Sequence, residues 1–255
     1  ASDVYKGQEE SGMLVEGFEN PPVIMCPHHR PYQGELAERA GLQRVKDCYG
    51  WRYDVTDPNP RTQRAWESIV SLPEVKFRTV NKRKLKSEVN DILDVYVDAW
   101  QHNWGFVPAT DAEAKKMAAD LKLILNELSF FAEIDGQPVA ICVCLPNLNE
   151  VARDFGGKLT PANIAKLLWR LKVREPKSAR LMLLGIRTEL RNKKRYAPLA
   201  QAMIGELIRR GKRLDYEWAE LGWTLEDNRL INAAIRSVGA YVYKRYRIYE
   251  KPIGA

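Results

Sequence analysis

A short basic segment in the C-terminal third of the chain combines residue types that bind phosphate. Residues 191–196 have the sequence RNKKRY, and we call them the basic turn. They follow an apolar strand pattern at 181–186 and precede an amphipathic helical pattern that begins after Pro198. A helix N-terminus offers free N–H groups and the positive end of the helix dipole, and Lys and Arg add charge-assisted hydrogen bonds. This order predicts a site for a phosphorylated carrier.

A second polar segment, Glu226-Asp227-Asn228, follows the next strand pattern, at 216–224. Asn228 stands directly before a helical pattern that ends at Gly239, which is the position of a helix N-cap. Two interpretations are open. Asn228 is a cap alone, or it is a cap whose side chain also contacts the bound carrier.

Glu220 lies within the predicted strand at 216–224. A carboxylate beside the expected ligand cleft is a candidate general base that deprotonates an acceptor amine. The alternative is an ordinary solvated carboxylate on the exposed face of the strand.

The cysteines and histidines give little support for metal or nucleophilic chemistry. Cys26 precedes His28 and His29, but three neighbouring residues without a distant pair of ligands make a poor zinc site. Cys142 and Cys144 share one face of a strand pattern and are expected to be small core residues. We predict no metal, and reduced thiols in a cytoplasmic protein.

The net charge of +7 is concentrated in one stretch, because residues 170–195 contain ten Lys or Arg and two acidic residues. A solvated surface, a polyphosphate site and a nucleic-acid surface all fit this excess. No nucleic-acid-binding motif accompanies the charge, so nucleic acid is disfavoured. No apolar run approaches the roughly 18 residues of a membrane span, and no secretory signal is visible, so we expect no membrane partner.

The order of patterns predicts three parts. Residues 1–57 are an N-terminal segment with a helix at 35–40 and a strand at 43–55, residues 58–75 are a linker, and residues 76–255 are one domain. The predicted elements from 75 onward are a strand at 75–80, helices at 85–100 and 110–125, a hairpin at 129–145, a helical insertion at about 146–180, a strand at 181–186, a helix at 198–211, a strand at 216–224, a helix at 229–238 and a strand at 240–253. The helix at 229–238 is expected to bury Leu230, Ile231, Ala234, Ile235 and Val238.

This order resembles the GNAT acyltransferase family over residues 75–253. The most specific part is the stretch from 225 to 240, which resembles the family's E-x-N…G-F block at Glu226, Asn228 and Gly239. The segment 102–108, the hairpin at 133–139 and the ending at 243–251 are similar to a longer bacterial subgroup. In that subgroup a degenerate acyltransferase-like half comes first, and residues 35–55 resemble its last helix and strand.

The resemblance implies an α+β (α/β) fold, with a central mixed, mostly antiparallel sheet flanked by helices and splayed at the cofactor strand. It implies acetyl-CoA or another acyl-CoA as cofactor, with the pyrophosphate at the basic turn and an N–H near Gly185 and Ile186 polarising the thioester carbonyl. The implied cofactor-binding residues are Leu184, Gly185, Ile186, Arg187, Arg191, Asn192, Lys193, Lys194, Arg195, Tyr196 and Asn228.

The chain departs from the family pattern at two places. The family turn is Q/R-x-x-G-x-G/A, and Arg191 matches it, but Lys194 and Tyr196 replace glycines that let backbone approach phosphate. Many members carry a tyrosine seven residues after the Asn, as general acid for the leaving thiolate. Ile235 stands there, so the proton donor is sought among the tyrosines of the last strand, which are Tyr241, Tyr243 and Tyr246, with Tyr243 selected.

The resemblance implies an acyl-CoA-dependent N-acyltransferase in which an amine attacks the thioester directly, with Glu220 as base. Two alternatives stay open. One is a degenerate protein of the same fold with a binding or regulatory role, and the other is an acyltransferase whose donor is bound to an acyl carrier protein. The acceptor is a small-molecule or peptide amine.

Overall fold

A computed structural model describes residues 12–101, 106, 108, 110, 112, 113, 116, 124–173 and 176–252. Within them the strands are β1 Met13–Glu16, β2 Gln43–Asp54, β3 Val75–Thr79, β4 Phe130–Ile134, β5 Gln137–Pro146, β6 Ser178–Ile186, β7 Trp218–Leu225 and β8 Tyr241–Glu250. The α-helices are α1 Tyr32–Arg39, α2 Pro60–Val70, α3 Leu85–Trp100, α4 Leu148–Val151, α5 Pro161–Val173, α6 Thr188–Arg191, α7 Leu199–Arg213 and α8 Arg229–Ser237.

The strands form one eight-stranded sheet in the order β1-β8-β2-β7-β6-β5-β4-β3. The pairs β1·β8, β8·β2, β2·β7, β3·β4 and β4·β5 are antiparallel. The predicted α+β class, with a mixed, mostly antiparallel sheet flanked by helices, is confirmed. The splaying of the cofactor strand stays a prediction.

The chain divides into two units that alternate along the sequence, whereas the sequence predicted successive parts. Unit 1 contains the chain up to Asp54, Asn147–Arg180 and the chain from Trp218 onward. Unit 2 contains Val55–Pro146 and Leu181–Glu217. The alternation arises because strands that are distant in sequence pair with each other, and local patterns do not report such pairing.

Unit 1 is built around the long antiparallel pair of β2 and β8. Cys48 lies opposite Tyr246, and both side chains are buried. The N-terminal segment closes this face, since Leu14 and Val23 pack in the same apolar cluster. Burial of such side chains stabilises the unit by roughly 1.5–3 kcal/mol each.

Unit 2 contains a tight hairpin between β4 and β5. Its two central residues, Asp135 and Gly136, have φ of 50° and 77°. Positive φ at both positions is typical of a type I′ turn, which the Asp-Gly sequence favours. Cys142 and Cys144 of β5 are fully buried, as the sequence predicted.

The segment predicted as a linker contains helix α2 instead. Asn59 caps it, because its side chain accepts a hydrogen bond from the N–H of Thr62, and Pro60 occupies the first turn. Ile69 is fully buried, and α2 packs on α7 where Gly205 allows close approach. The sequence missed this helix because its Asp-Pro-Asn-Pro start indicates a turn.

The predicted helix at 110–125 lies almost wholly outside the described residues. Its capping box is present, because the N–H of Thr110 donates to Oε2 of Glu113 at 2.8 Å and the N–H of Glu113 donates to Oγ1 of Thr110 at 3.3 Å.

The expected burial of the apolar face of α8 is wrong for three of its five residues. Leu230 is 86% exposed, and Ile231 and Ala234 are also exposed, whereas Ile235 and Val238 are half-buried. The residue of α8 that is buried is Asn232. Amphipathic spacing identifies an apolar face, but it does not tell whether another element covers that face.

Candidate functional site

The basic turn, in unit 2, forms without any left-handed residue. β6 ends at Ile186, the N–H of Arg187 donates to the carbonyl of Val139 at 2.9 Å, and α6 follows. Residues Lys194–Tyr196 then form a single 3₁₀ turn before α7. Asn192 and Lys193 have φ of −101° and −85°. Lys194 and Tyr196 therefore occupy the glycine positions of the family pattern without backbone strain.

Several turn side chains bind the protein itself. Arg191 donates from Nη2 to the carbonyl of Ala99 at 2.9 Å, at the end of α3. Arg195 pairs with Glu74 at 2.6 Å, and the hydroxyl of Tyr196 donates to the same carboxylate at 3.3 Å. A backbone hydrogen bond and the Arg195 guanidinium lower the pKa of Glu74. The contacts of Arg191, Arg195 and Tyr196 therefore hold the turn in place.

Lys193 and Lys194 are the exposed cations of the turn that pair with no residue in the described part of the chain. Four residues after Lys194, Pro198 occupies the N-cap position of α7 and supplies no side-chain cap. The first N–H groups of α7 and the two ammonium groups lie within one short stretch of chain. This combination suits an anion such as a pyrophosphate.

The strand before the turn is packed tightly at Gly185. A Cβ at this position would lie 2.2 Å from Cζ3 of Trp100. Asp98, two residues before Trp100, accepts hydrogen bonds from the N–H and the hydroxyl of Thr188, at 2.6 and 3.0 Å. The end of α3 thus holds both the end of strand β6 and the start of α6 in place. Arg187 donates from Nε to the carbonyl of Pro138 at 3.1 Å.

In unit 1, the two predicted catalytic residues are hydrogen-bonded to each other. The Tyr243 hydroxyl donates to Oε2 of Glu220. Sγ of Cys26 donates to Oε1 of the same carboxylate at 3.3 Å. Glu220 is fully buried, whereas Tyr243 is half-buried.

Burial shifts the proton affinities around Glu220. Burial first, and then the Glu220 carboxylate, raise the pKa of Tyr243 above its ordinary value. The same two causes raise the pKa of the Cys26 thiol to about 12. Both groups are therefore held in their protonated forms at neutral pH, as donors to Glu220.

A buried lysine completes this cluster. Lys244 lies opposite Gly50 in the pairing of β2 with β8, and a Cβ at Gly50 would lie 3.3 Å from Oε1 of Glu220. Nζ of Lys244 donates to the carbonyl of Pro21 at 2.8 Å. Burial lowers the pKa of Lys244, and the Glu220 charge acts in the opposite direction. The sequence analysis did not single out Lys244. Its position between Val242 and Tyr246, on the same face of an alternating strand, would have indicated that its side chain faces the core.

The segment 17–30 covers the cluster. Arg180 donates from Nη1 to the carbonyls of Ile24 and Met25, at 2.7 and 2.6 Å. Asn147 accepts from the N–H of Ile24 at 3.0 Å. We define the Glu220 cluster as Cys26, Gly50, Glu220, Tyr243, Lys244 and Tyr246.

Asn228 is a helix N-cap, as predicted. Its Oδ1 accepts from the N–H of Ile231 at 3.4 Å. Asn232, which the sequence did not single out, donates to the carbonyl of Leu225 at 3.0 Å and accepts from the hydroxyl of Thr224 at 2.6 Å. These bonds anchor the start of α8 to the end of β7.

The predicted cofactor residues from 184 to 196 thus lie in unit 2, whereas Glu220, Asn228 and Tyr243 lie in unit 1. His29 accepts the N–H of Leu14 on Nδ1 at 3.1 Å. Among the described residues, no group of three or more His, Cys, Asp or Glu is placed to hold a metal ion.

No protein-family model matches the chain. Solved structures are similar in fold. A GCN5-related N-acetyltransferase from Sphaerobacter thermophilus has a TM-score of 0.52 at 17% identity, over 87% of this chain and 56% of that one. A tandem GNAT protein from the clavulanic acid biosynthesis pathway has a TM-score of 0.51 at 11% identity, over 94% and 62%. The chain therefore has the GNAT fold, which confirms the predicted resemblance at the level of fold.

Two curated proteins are similar over almost the whole chain. Protein YghO of Escherichia coli K12 is 37% identical over 249 residues, which are 96% of this chain and 63% of YghO. The bacterial ceramide synthase of Caulobacter vibrioides is 36% identical over 251 residues, which are 96% of this chain and 64% of that protein. The chain spans less than two thirds of either relative. No helix among the described residues is long and apolar enough to cross a bilayer.

Proposed function

We propose that the protein is an acyltransferase that moves an acyl group from a thioester to an amine. The observation that carries this proposal is the basic turn, where Lys193 and Lys194 are unpaired among the described residues and the helix α7, whose start has no side-chain cap, follows within five residues. The GNAT fold and a relative named a ceramide synthase support it.

The proposed donor is an acyl-CoA. Its pyrophosphate is held by the first N–H groups of α7 and by the ammonium groups of Lys193 and Lys194. Arg191 and Arg195 position the turn, because their guanidinium groups are bonded to Ala99 and Glu74. A donor carried by an acyl carrier protein ends in the same thioester and would use the exposed lysines for docking.

We propose Glu220 as the base, acting through Tyr243. As the amine nitrogen bonds to the thioester carbon, its proton passes to the Tyr243 oxygen, and the Tyr243 proton passes to Oε2 of Glu220. The C–S bond then breaks, and the carrier leaves as its thiolate. The relay is needed because Glu220 is fully buried and Tyr243 is half-buried.

The proposed acceptor is a long-chain amino alcohol. A ceramide is by definition an N-acylated long-chain amino alcohol, and the relative named for that product aligns with 96% of this chain. The wider expectation of a small-molecule or peptide amine includes this class.

Calorimetric titration with acetyl-CoA and a long-chain acyl-CoA tests the donor site. In K193A/K194A we expect affinity to fall by about tenfold or more, since two charge-assisted contacts are lost. K82A/K84A is the matched control, because it removes two exposed lysines from another 3₁₀ turn of unit 2 and should leave affinity unchanged. Equal losses of affinity in the two variants would indicate that Lys193 and Lys194 act only through the overall positive charge of the protein.

Product formation tests the reaction. The chain is mixed with acyl-CoA and a long-chain amino alcohol, and the amide is measured by mass spectrometry together with released thiol. Amide and thiol in equal amounts support the proposal. If the protein binds the donor but forms no amide with any amine tested, a non-catalytic role is favoured instead. This role is the second candidate because Arg191, Arg195 and Tyr196 are bonded within the protein.

A further inference from the structure

Helix α5, in unit 1, turns an apolar face to solvent. Successive residues of an α-helix lie about 100° apart, which places the apolar residues of α5 other than Leu167 and Leu171 on one half of its circumference, a half that also contains Lys172. The large side chains on this half are exposed, and Leu159 extends the surface just before the helix. The exposed fractions are 70% for Leu159, 45% for Ile164, 42% for Leu168, 59% for Trp169 and 64% for Val173.

The other half of α5 holds the helix in this orientation. Arg170 donates from Nη1 to the carbonyl of Val151 at 2.5 Å and pairs with Asp154. Lys166 also pairs with Asp154, at 2.6 Å. Both cations lie over the ring of Phe155, which is buried. These contacts hold α5 by the side that carries Lys166 and Arg170, so the side with Leu168 and Trp169 faces solvent.

The sequence around this face is basic. Residues 150–177 contain seven Lys or Arg and three Asp or Glu, and α5 itself contains no acidic residue. A cationic helix with Trp and Leu on its apolar side is the pattern of helices that lie in a membrane surface. The basic residues near such a helix attract anionic lipid, at about 1 kcal/mol for each Lys or Arg close to the surface.

We propose that the face of α5 formed by Leu159, Ile164, Leu168, Trp169 and Val173 docks on the surface of an anionic lipid bilayer. The helix lies in the interface with its apolar side chains among the lipids. Its 13 residues give about 20 Å of helix, against about 30 Å for a bilayer core. The sequence predicted no membrane partner because it contains no span, and a helix in the interface needs none.

Charge favours lipid over a second copy of the chain. Self-association through this face would bring together two segments that each carry an excess of four positive charges, which opposes contact. An anionic bilayer instead complements both the apolar face and its basic surroundings. The inference stands independently of the proposed reaction, and it would also bring the protein to the surface where long-chain amines reside.

Flotation with vesicles tests the proposal on the full natural chain. Vesicles of phosphatidylcholine with about one quarter phosphatidylglycerol are compared with pure phosphatidylcholine, at low and high salt. We expect the protein to float with the anionic vesicles, and high salt to reduce this fraction. In L168S/W169S we expect the partition coefficient to fall about tenfold or more, since two large apolar side chains are lost from the interface.

The matched control is L36S, which removes an exposed leucine from α1 of the same unit. It should float as the unaltered chain does. Both variants should also have the same circular dichroism spectrum as the unaltered chain, because Leu36, Leu168 and Trp169 are all exposed. Three results would overturn the proposal: no flotation of the unaltered chain, equal loss in L36S, or a dimer in solution that L168S/W169S converts to a monomer while vesicle binding is absent.

Discussion

The Tyr243 hydroxyl donates a hydrogen bond to the carboxylate of Glu220, a residue that the structure buries completely. Cys26 supplies a second donor, to the other oxygen of the same carboxylate. Lys244 is buried beside it, and its pKa is lowered by burial. A carboxylate with this many partners is part of the packing of unit 1, and Tyr243 is its half-buried partner.

The first prediction concerns this connection. Y243F removes the proposed relay to Glu220, and we expect kcat for amide formation to fall by about 100-fold or more, as for loss of an acid–base group. The affinity for acyl-CoA, measured by calorimetry, should stay the same. Y241F is the control, since it removes an exposed hydroxyl of the same strand. Equal losses of activity in both variants would contradict a specific role for Tyr243.

The second prediction concerns Gly185. In G185A the added methyl group would overlap the Trp100 ring, so we expect a loss of about 1–3 kcal/mol in the free energy of unfolding. At Gly211 of α7 an added methyl group would meet no heavy atom within 4 Å apart from the adjoining residues and the backbone of its own helix, so G211A should leave stability equal or raise it by up to about 1 kcal/mol. Urea unfolding of both variants measures the difference. If G185A unfolds like G211A, the close packing of Trp100 is not a feature of the folded chain.

The order of the strands and most helices was predictable because each depends on local periodicity. The β4–β5 turn, the start of α7 after Pro198 and the cap at Asn228 all follow from residues within a few positions of each other. The basic turn was likewise visible as a contiguous run of charge. Its internal pairing was not, because Arg195 reaches Glu74 across 121 residues.

The Glu220 cluster was only partly predictable for the same reason. Glu220 and Tyr243 could be selected singly, but Cys26 meets Glu220 across 194 residues of sequence. The contact depends on the pairing of β2 with β7 and β8, which sequence alone does not give. The exposure of Leu230 escaped prediction for a related reason, since amphipathicity does not specify which neighbours a helix has.

The third prediction concerns thiol reactivity. Burial raises the pKa of Cys26 and Cys48 from an ordinary value of 9.0 to about 12, and the pKa of Cys142 and Cys144 is raised by burial as well. Since the thiolate is the reactive form, we expect no rapid reaction with Ellman's reagent at pH 8 in the folded chain. In urea all four thiols should react.

The same shifts set a direction for stability against pH. A group whose pKa is higher in the folded state contributes stability that is fully present below its unfolded pKa and is lost as pH rises through the folded one. The free energy of unfolding should therefore decrease between about pH 9 and pH 12. In C26A the part of this decrease that Cys26 contributes should disappear, which urea titrations at several pH values would measure.

The last prediction decides between the two interpretations of Asn228. Its side chain accepts the N–H of Ile231, so N228A should lower the free energy of unfolding by about 0.5–2 kcal/mol in either case. If Asn228 also contacts the carrier, N228A should in addition bind acyl-CoA more weakly. N228D is the informative control, because it keeps an accepting oxygen for the cap while placing a negative charge beside a polyanion. If N228D retains stability but binds acyl-CoA about tenfold more weakly, Asn228 lies against the donor, whereas unchanged affinity in both variants makes it a cap alone.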